Sequence, residues 1–253
     1  MAEAFLWDRF REVEALGEGG MGLVVKAEDL GLERHVAIKR LRPETSGDPE
    51  IRERFLQEAK ATGQLEHPNI PPIYEMGCDE KDNPYFALKL VRGQTLAEII
   101  AKLAEPDAKT HERYSFIERL QIFLKACEAV AYAHKRGVFH RDIKPENLMV
   151  GEFGEVFVMD WGLAKDEGKE AAYQTEAGAF FGTPMYAAPE VLSGEPASER
   201  SEVYSLGATL YHWLTIRPPF EGDNLRAILT NVLTGKLKDP VLLSPPHSGA
   251  HAR

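Results

Sequence analysis

The 253 residues, 43% hydrophobic and 28% charged, have the size and balance of one large globular domain or two small lobes, which excludes disordered and fibrous classes. The 40 acidic against 30 basic residues leave a net charge of −10, which disfavours a nucleic-acid backbone or an anionic membrane as the main partner. Cys78 and Cys127 are too few and too far apart for a disulfide framework or a zinc knuckle, and read as buried free thiols of a reducing compartment. Residues 1–10 lack the apolar core of a signal peptide and no apolar run is long enough to span a bilayer, so a soluble, cytoplasmic chain is expected.

Along the chain, short strand-like segments come first. Strands are predicted over 11–16 and 23–28, flanking a turn that holds Gly17, Gly19, Gly20 and Gly22, and a third over 35–40. After a polar loop with Pro43, Gly47 and Pro49, residues 51–65 place Phe55, Ala59, Thr62 and Leu65 at helical spacing. Segments 70–76 and 85–90 complete a five-stranded sheet carrying one helix. Beyond Gly93 the pattern turns helical, and 116–135 puts Phe116, Leu120, Phe123, Cys127 and Val130 on one amphipathic face. A hairpin is expected from 148–150 and 156–159, then helices over 202–214 and 225–233. The resulting division is a first lobe over 1–91, a mainly helical second lobe over 92–240, and a disordered tail over 241–253 with Pro245, Pro246, Ser248 and Gly249.

Four groups of residues carry chemistry. In Leu16, Gly17, Glu18, Gly19, Gly20, Met21, Gly22, Leu23 and Val24, glycines at the first, third and sixth places between two strands let bare backbone approach a polyphosphate and offer N–H donors. A dinucleotide site needs a helix directly after such glycines, whereas Leu23-Val24-Val25 continues as a strand and favours a flap over phosphates. Val36-Ala-Ile-Lys39 ends an apolar strand with one lysine, which can simply snorkel from the edge. Glu58, in line with Phe55, Thr62 and Leu65 on the face to be buried, is costly there unless paired, and Lys39 is its candidate partner. In His140-Arg-Asp-Ile-Lys-Pro-Glu-Asn147, Asp142 can accept or orient the proton of an attacking hydroxyl, Lys144 can neutralise a migrating phosphoryl, and Asn147 can offer a neutral oxygen to a metal. Asp160 at the end of the next strand supplies a carboxylate of the kind Mg²⁺ prefers.

In this order, with Asp160-Trp-Gly162 and Ala188-Pro-Glu190, these motifs resemble the protein-kinase family over residues 10 to about 235. Lys144 before Pro-Glu-Asn, and Gly182-Thr-Pro-Met-Tyr186, are similar to serine/threonine rather than tyrosine kinases, and Asp-Trp-Gly looks like the bacterial eukaryote-like group. The resemblance implies a bilobal α+β fold, a five-stranded antiparallel sheet plus one helix hinged to a helical lobe. It also implies transfer of the γ-phosphate of ATP, with Mg²⁺ (Mn²⁺ as the alternative ion), to Ser or Thr of proteins. By the same resemblance Lys39 holds phosphates, Leu88 is the gatekeeper, Lys89 and Val91 offer backbone groups to adenine, and Val24, Ala37 and Met149 sandwich it. Arg141 would read a phosphate on the activation segment, with Thr175 as the expected acceptor of autophosphorylation.

The chain departs from the family at Trp161, where Phe is usual, and at Thr62, where a bulky aliphatic is usual. Glu202 replaces an Asp that braces the catalytic loop, and its extra methylene is expected to displace that loop. The family's later helices, one bearing an Arg that pairs with the Glu at position 190, have little room after Gly235. Either self-association through this end of the second lobe, or a longer parent protein that supplies the missing helices, is therefore expected. The alternative to an enzyme is a catalytically weak, pseudokinase-like binding module.

Overall fold

The computed structural model describes the strand Phe5–Leu6 and residues 9–18, 22–42, 44–161 and 183–240, with backbone only at 5, 6 and 18. The expectations for Gly19, Gly20, Met21, Gly162, Thr175 and the tail 241–253 lie outside these residues.

The five expected strands form, and a short sixth joins them at one edge. They are β1 (Phe5–Leu6), β2 (Phe10–Glu18), β3 (Gly22–Asp29), β4 (Arg34–Leu41), β5 (Ile73–Cys78) and β6 (Pro84–Lys89). All neighbours are antiparallel, in the order β1-β2-β3-β4-β6-β5. β5 begins at Ile73 rather than at 70, because Pro71 and Pro72 have no N–H to give to a ladder.

Side-chain alternation divides the sheet into two faces. On one, Val25, Ala27, Val36, Ile38, Tyr85 and Ala87 pack with Phe10. On the other, Leu41 and Phe86 pack on Phe55 and Ala59 of helix α1 (Pro49–Gly63), with Ile73 and Leu88 beside them. This second face carries Lys39, which stands opposite Val24 on β3 and Phe86 on β6. α1 starts two residues before the expected position: the Asp48 carboxylate accepts from Glu50 N at 2.9 Å and Ile51 N at 3.3 Å, and Pro49 suits the first helical place.

A second sheet, β7 (Gly93–Thr95), β8 (Leu148–Gly151) and β9 (Val156–Val158), begins the other half. Gly93 has to be glycine, since a Cβ there would stand 2.1 Å from the Val150 carbonyl oxygen. The helices are α2 (Leu96–Leu103), α3 (Ala108–Arg113), α4 (Phe116–His134), α5 (Pro189–Leu192), α6 (Glu199–Thr215) and α7 (Leu225–Leu233). α2 opens with a reciprocal Thr95–Glu98 capping box, and α6 begins at 199 because Ser198 and Ser201 cap it in the same way.

The buried face of α4 is rotated from the one expected. Ile122, Ala126, Ala129, Val130 and Ala133 are buried, whereas Phe116 is 50% and Leu120 37% exposed. Periodicity weighted by large side chains pointed to the wrong stripe. Contact with Leu148, Val156 and Val158 runs through small alanines, which let the helix approach the second sheet. Cys78, expected to be buried, is exposed at the end of edge strand β5, and Cys127 is half-buried; both are free. The loop before β5 is fastened to β9: Asn69 Nδ2 donates to Val156 O and Val158 N donates to Asn69 O, both at 2.8 Å. No helix among the described residues is long and apolar enough to cross a membrane.

Candidate active site

The loop 140–147 connects α4 to β8, and one buried ring organises it. His140 Nε2–H donates to the Met159 carbonyl at 2.7 Å, so Nδ1 is left to accept the Asp142 N–H at 3.2 Å. A single imidazole thereby ties Asp142 to the residue that precedes Asp160. Met159 N in turn donates to Asn147 O at 2.8 Å.

Arg141 (φ +67°) and Asp160 (φ +58°) both occupy the left-handed region, which costs a non-glycine residue about 1–3 kcal/mol unless the surroundings enforce it. At Arg141 the enforcement comes from α6. The Arg141 N–H donates to Glu202 Oε1 at 2.5 Å, and His134 Nε2 donates to Glu202 Oε2 at 2.6 Å. Glu202 is only 2% exposed, so both oxygens need such donors. The extra methylene, expected to displace the loop, instead lets the carboxylate hold the loop backbone with one oxygen and the end of α4 with the other.

Asp142 Oδ2 receives Lys144 Nζ at 2.7 Å and Asn147 Nδ2 at 3.0 Å; the same amide nitrogen donates to Asp142 O at 2.7 Å. These bonds fix the Asn147 amide with its oxygen left over as an acceptor. The 3₁₀ turn Pro145–Asn147 sets this geometry directly before β8.

Lys39 is the second centre. Its ammonium lies 2.6 Å from Glu58 Oε1 and 3.0 Å from Asp160 Oδ1, joining β4, α1 and the end of β9. Burial would lower the lysine pKa, but the two carboxylates outweigh it and hold the group above its ordinary value. Burial pushes Glu58 up to about 7, which Lys39 only partly offsets, and Asp160 adds to the rise. Glu58 Oε2 is buried without a hydrogen-bond partner among the described residues. The Asp160 side chain is 49% exposed and keeps a carboxylate oxygen beyond the one on Lys39.

Other expected site residues divide by face. Val24 and Lys39 are cross-strand partners, as are Ala37 and Leu88, so all four share one face of the sheet. Met149 comes from β8 in the second sheet, opposite Thr95. Leu23 points the other way, partly buried against the Phe10 cluster, so its side chain does not line this face. Gly17 and Glu18 end β2, and Leu16 just before them is exposed. Gly22 lies so close to β4 that a Cβ would stand 2.4 Å from Arg40 O. Lys89 donates its N–H to Pro72 O at 3.1 Å and sets its ammonium 4.5 Å from the Phe157 ring centre, and Val91 is half-buried between β6 and β7.

The departures have physical accounts. Trp161 is buried, its indole N–H donates to Val158 O at 3.0 Å, and its ring meets His140 at 4.7 Å. Thr62 is buried on the last turn of α1. Glu190 is half-buried and forms no ion pair among the described residues. Sequence reasoning missed His134 and Asn69, since neither lies in a motif whose local spacing demands a polar partner.

Asp142, Lys144 and Asn147 thus stand together on one loop, bonded through His140 and Met159 to the end of β9, where Asp160 meets Lys39 of β4. Among the described residues no group of three or more His, Cys, Asp or Glu could hold a metal by itself. The Asn147 amide oxygen and the open side of Asp160 are hard donors that fit Mg²⁺ completed by phosphate oxygens.

Comparison with known proteins agrees with this geometry. The family described as protein kinase domain matches residues 10–244. The chain is 40% identical over 257 residues to serine/threonine-protein kinase PknD of Protochlamydia amoebophila, covering 94% of this chain and 26% of that protein. It is 37% identical over 235 residues to PknD of Chlamydia muridarum, covering 84% of this chain and 25% of the relative. The chain therefore spans about a quarter of the length of these curated relatives.

Proposed function

Because this chain belongs to the protein kinase family and has its α+β fold, we propose that it transfers the γ-phosphate of ATP to Ser or Thr hydroxyls of proteins. The observation that carries this reading is the Lys39 ammonium held between Glu58 and Asp160, a convergence of residues up to 121 positions apart. Residues 1–91 would hold the nucleotide and 92–240 the acceptor.

In this reading Lys39 steadies the α- and β-phosphates, while the flap 16–24 covers them with backbone N–H groups. Val24, Ala37 and Met149 enclose the purine, with Leu88, Lys89 and Val91 along its edge. Asp142 orients the acceptor hydroxyl and takes its proton as the new O–P bond forms and the bond to the β-phosphate oxygen breaks. Lys144 offsets charge on the migrating phosphoryl. Asn147 and Asp160 would hold Mg²⁺, which supplies charge stabilisation to the phosphate oxygens. The pseudokinase alternative loses one of its two arguments, since Glu202 reaches the Arg141 N–H.

Incubation with Mg²⁺, γ-labelled ATP and a generic basic protein tests the proposal. Acid-stable label on Ser or Thr is expected, part of it on Thr175 of this chain. Nucleotide binding without any transfer would favour the binding module. Exposed Val203, Leu225 and Leu233 support self-association through the helical lobe, which sedimentation would detect.

A further inference from the structure

Behind β6, on the side away from Lys39, the structure has a second concave site. Lys89 pairs across the sheet with Val36, whose side chain belongs to the Phe10 cluster. The Lys89 side chain therefore leaves its strand on the opposite face from Ala37, Leu88 and Lys39. There it stands at the junction of two hollows, of about 630 and 150 Å³, which share Lys89 and Phe157. The larger hollow is lined chiefly by Leu65, Pro68, Pro72, Ile73, Tyr74 and Phe157. Its walls come from the loop after α1, from β5 and β6, and from β9, so both sheets contribute.

The hollow is held open by bonds already made. The Lys89 N–H donates to Pro72 O at 3.1 Å, and Asn69 is fastened to β9 by its two bonds of 2.8 Å. The Tyr74 ring is steadied by the Arg34 guanidinium, 4.0 Å from its centre. A molecule entering this space orders little of the protein, which favours binding.

Charge gives the site its polarity. Lys89 is half-buried, and among the described residues its ammonium has the Phe157 ring at 4.5 Å but no hydrogen bond or ion pair. A partly desolvated cation left with only a ring face is open to an anion. Of the acids on the lining, Glu155 lies in the smaller hollow and accepts the Phe153 N–H at 3.0 Å, while Glu66 is exposed. Small-molecule sites are mostly apolar hollows of about 300–1,000 Å³ with a few placed polar groups, and the larger hollow has that size and make-up.

We propose that this hollow binds a small carboxylate with an aromatic or branched aliphatic body, the body lying on Pro72, Ile73, Tyr74 and Phe157 and the carboxylate on the Lys89 ammonium. The site itself does not rest on the kinase reading. That reading puts the nucleotide on the other side of residues 88–91, so the two ligands should bind together.

Indoleacetate serves as the probe, with uncharged tryptophol and cationic tryptamine as controls of the same shape, titrated calorimetrically into the full chain. Saturable binding at one site with a Kd of about 1 mM or tighter is expected for a ligand of this size. Tryptophol and tryptamine should bind at least about tenfold more weakly, the worth of one hydrogen bond between charged groups. Lys89→Gln should lose the same factor for indoleacetate and erase its advantage over tryptophol, whereas Lys89→Arg should keep it. Gly63 ends α1 on the lining, and a Cβ there would meet nothing within 4 Å. Gly63→Trp should therefore fill the hollow and abolish binding, and if that variant does not fold, Lys89→Gln still decides. Protection from amide hydrogen exchange on adding indoleacetate should fall in 63–74 and 88–91. Equal affinity for indoleacetate and tryptophol, full affinity in Lys89→Gln, displacement by ADP, or no saturation below about 10 mM would each overturn the proposal. A chain that binds no ADP would instead remove the kinase reading and leave the indoleacetate titration to stand by itself.

Discussion

Replacing Glu202 by alanine should disable the catalytic loop and destabilise the fold together. The substitution takes the acceptor from two buried donors at once, the Arg141 N–H at 2.5 Å and His134 Nε2 at 2.6 Å. Each orphaned buried donor costs about 1–3 kcal/mol, so the expected loss is about 4 kcal/mol. Native stabilities are only about 5–15 kcal/mol. In a domain of this size the loss should lower Tm by about 8–16 °C. Arg141 would also lose the bond that enforces its positive φ, and a shift of about 1 Å in the adjoining Asp142 would cut transfer by about 100-fold. Aspartate at 202, one methylene shorter, cannot span both donors and should lose about half as much stability. A double-mutant cycle with His134→Leu isolates the second bond, with a coupling of about 1–2 kcal/mol expected. Thermal melts followed by circular dichroism, with a labelled-ATP transfer assay, provide the readouts. An alanine variant melting within about 2 °C of the parent, or strictly additive double-variant losses, would refute the reasoning.

Asp160→Ala leaves Lys39 paired with Glu58, so the melt should barely change while transfer falls about 100-fold or more. Lys39→Met removes the group that offsets burial at Glu58. A carboxyl with a raised folded pKa binds more protons native than unfolded, so stability falls as pH rises through 4.5 to 7 and above, and the slope in melts from pH 5 to 8 should be steeper than the parent's. His212 of α6 works in the opposite direction: with burial lowering its folded value to about 4 from 6.5, its contribution is complete above pH 6.5 and is lost as pH falls toward 4. His212→Gln should flatten the parent's loss of Tm over that acid range, and an unchanged profile would contradict the assignment. Asn69→Ala orphans the Val156 carbonyl and should cost about 1–3 kcal/mol in chemical denaturation.

Much of this protein is legible without coordinates, because the information lies within a few residues of where it acts. Glycines between two strands, a lysine closing an apolar strand and the run from His140 to Asn147 are local statements about sterics and hydrogen bonding. So are the chain positions of the five main strands and the extent of α7, which matches its expected span 225–233. What lies beyond local pattern is the direction in which a side chain points once elements pack. Which stripe of α4 is buried depended on the approach of the second sheet, and alanines permit that approach where Phe116 and Leu120 would hold the helix away. Lys39 and Asp160 meet across 121 positions, and Glu202 finds Arg141 and His134 across 61 and 68. These partnerships arise from layers stacked at long range, where burial leaves a charged or polar atom only those partners the packing brings within reach.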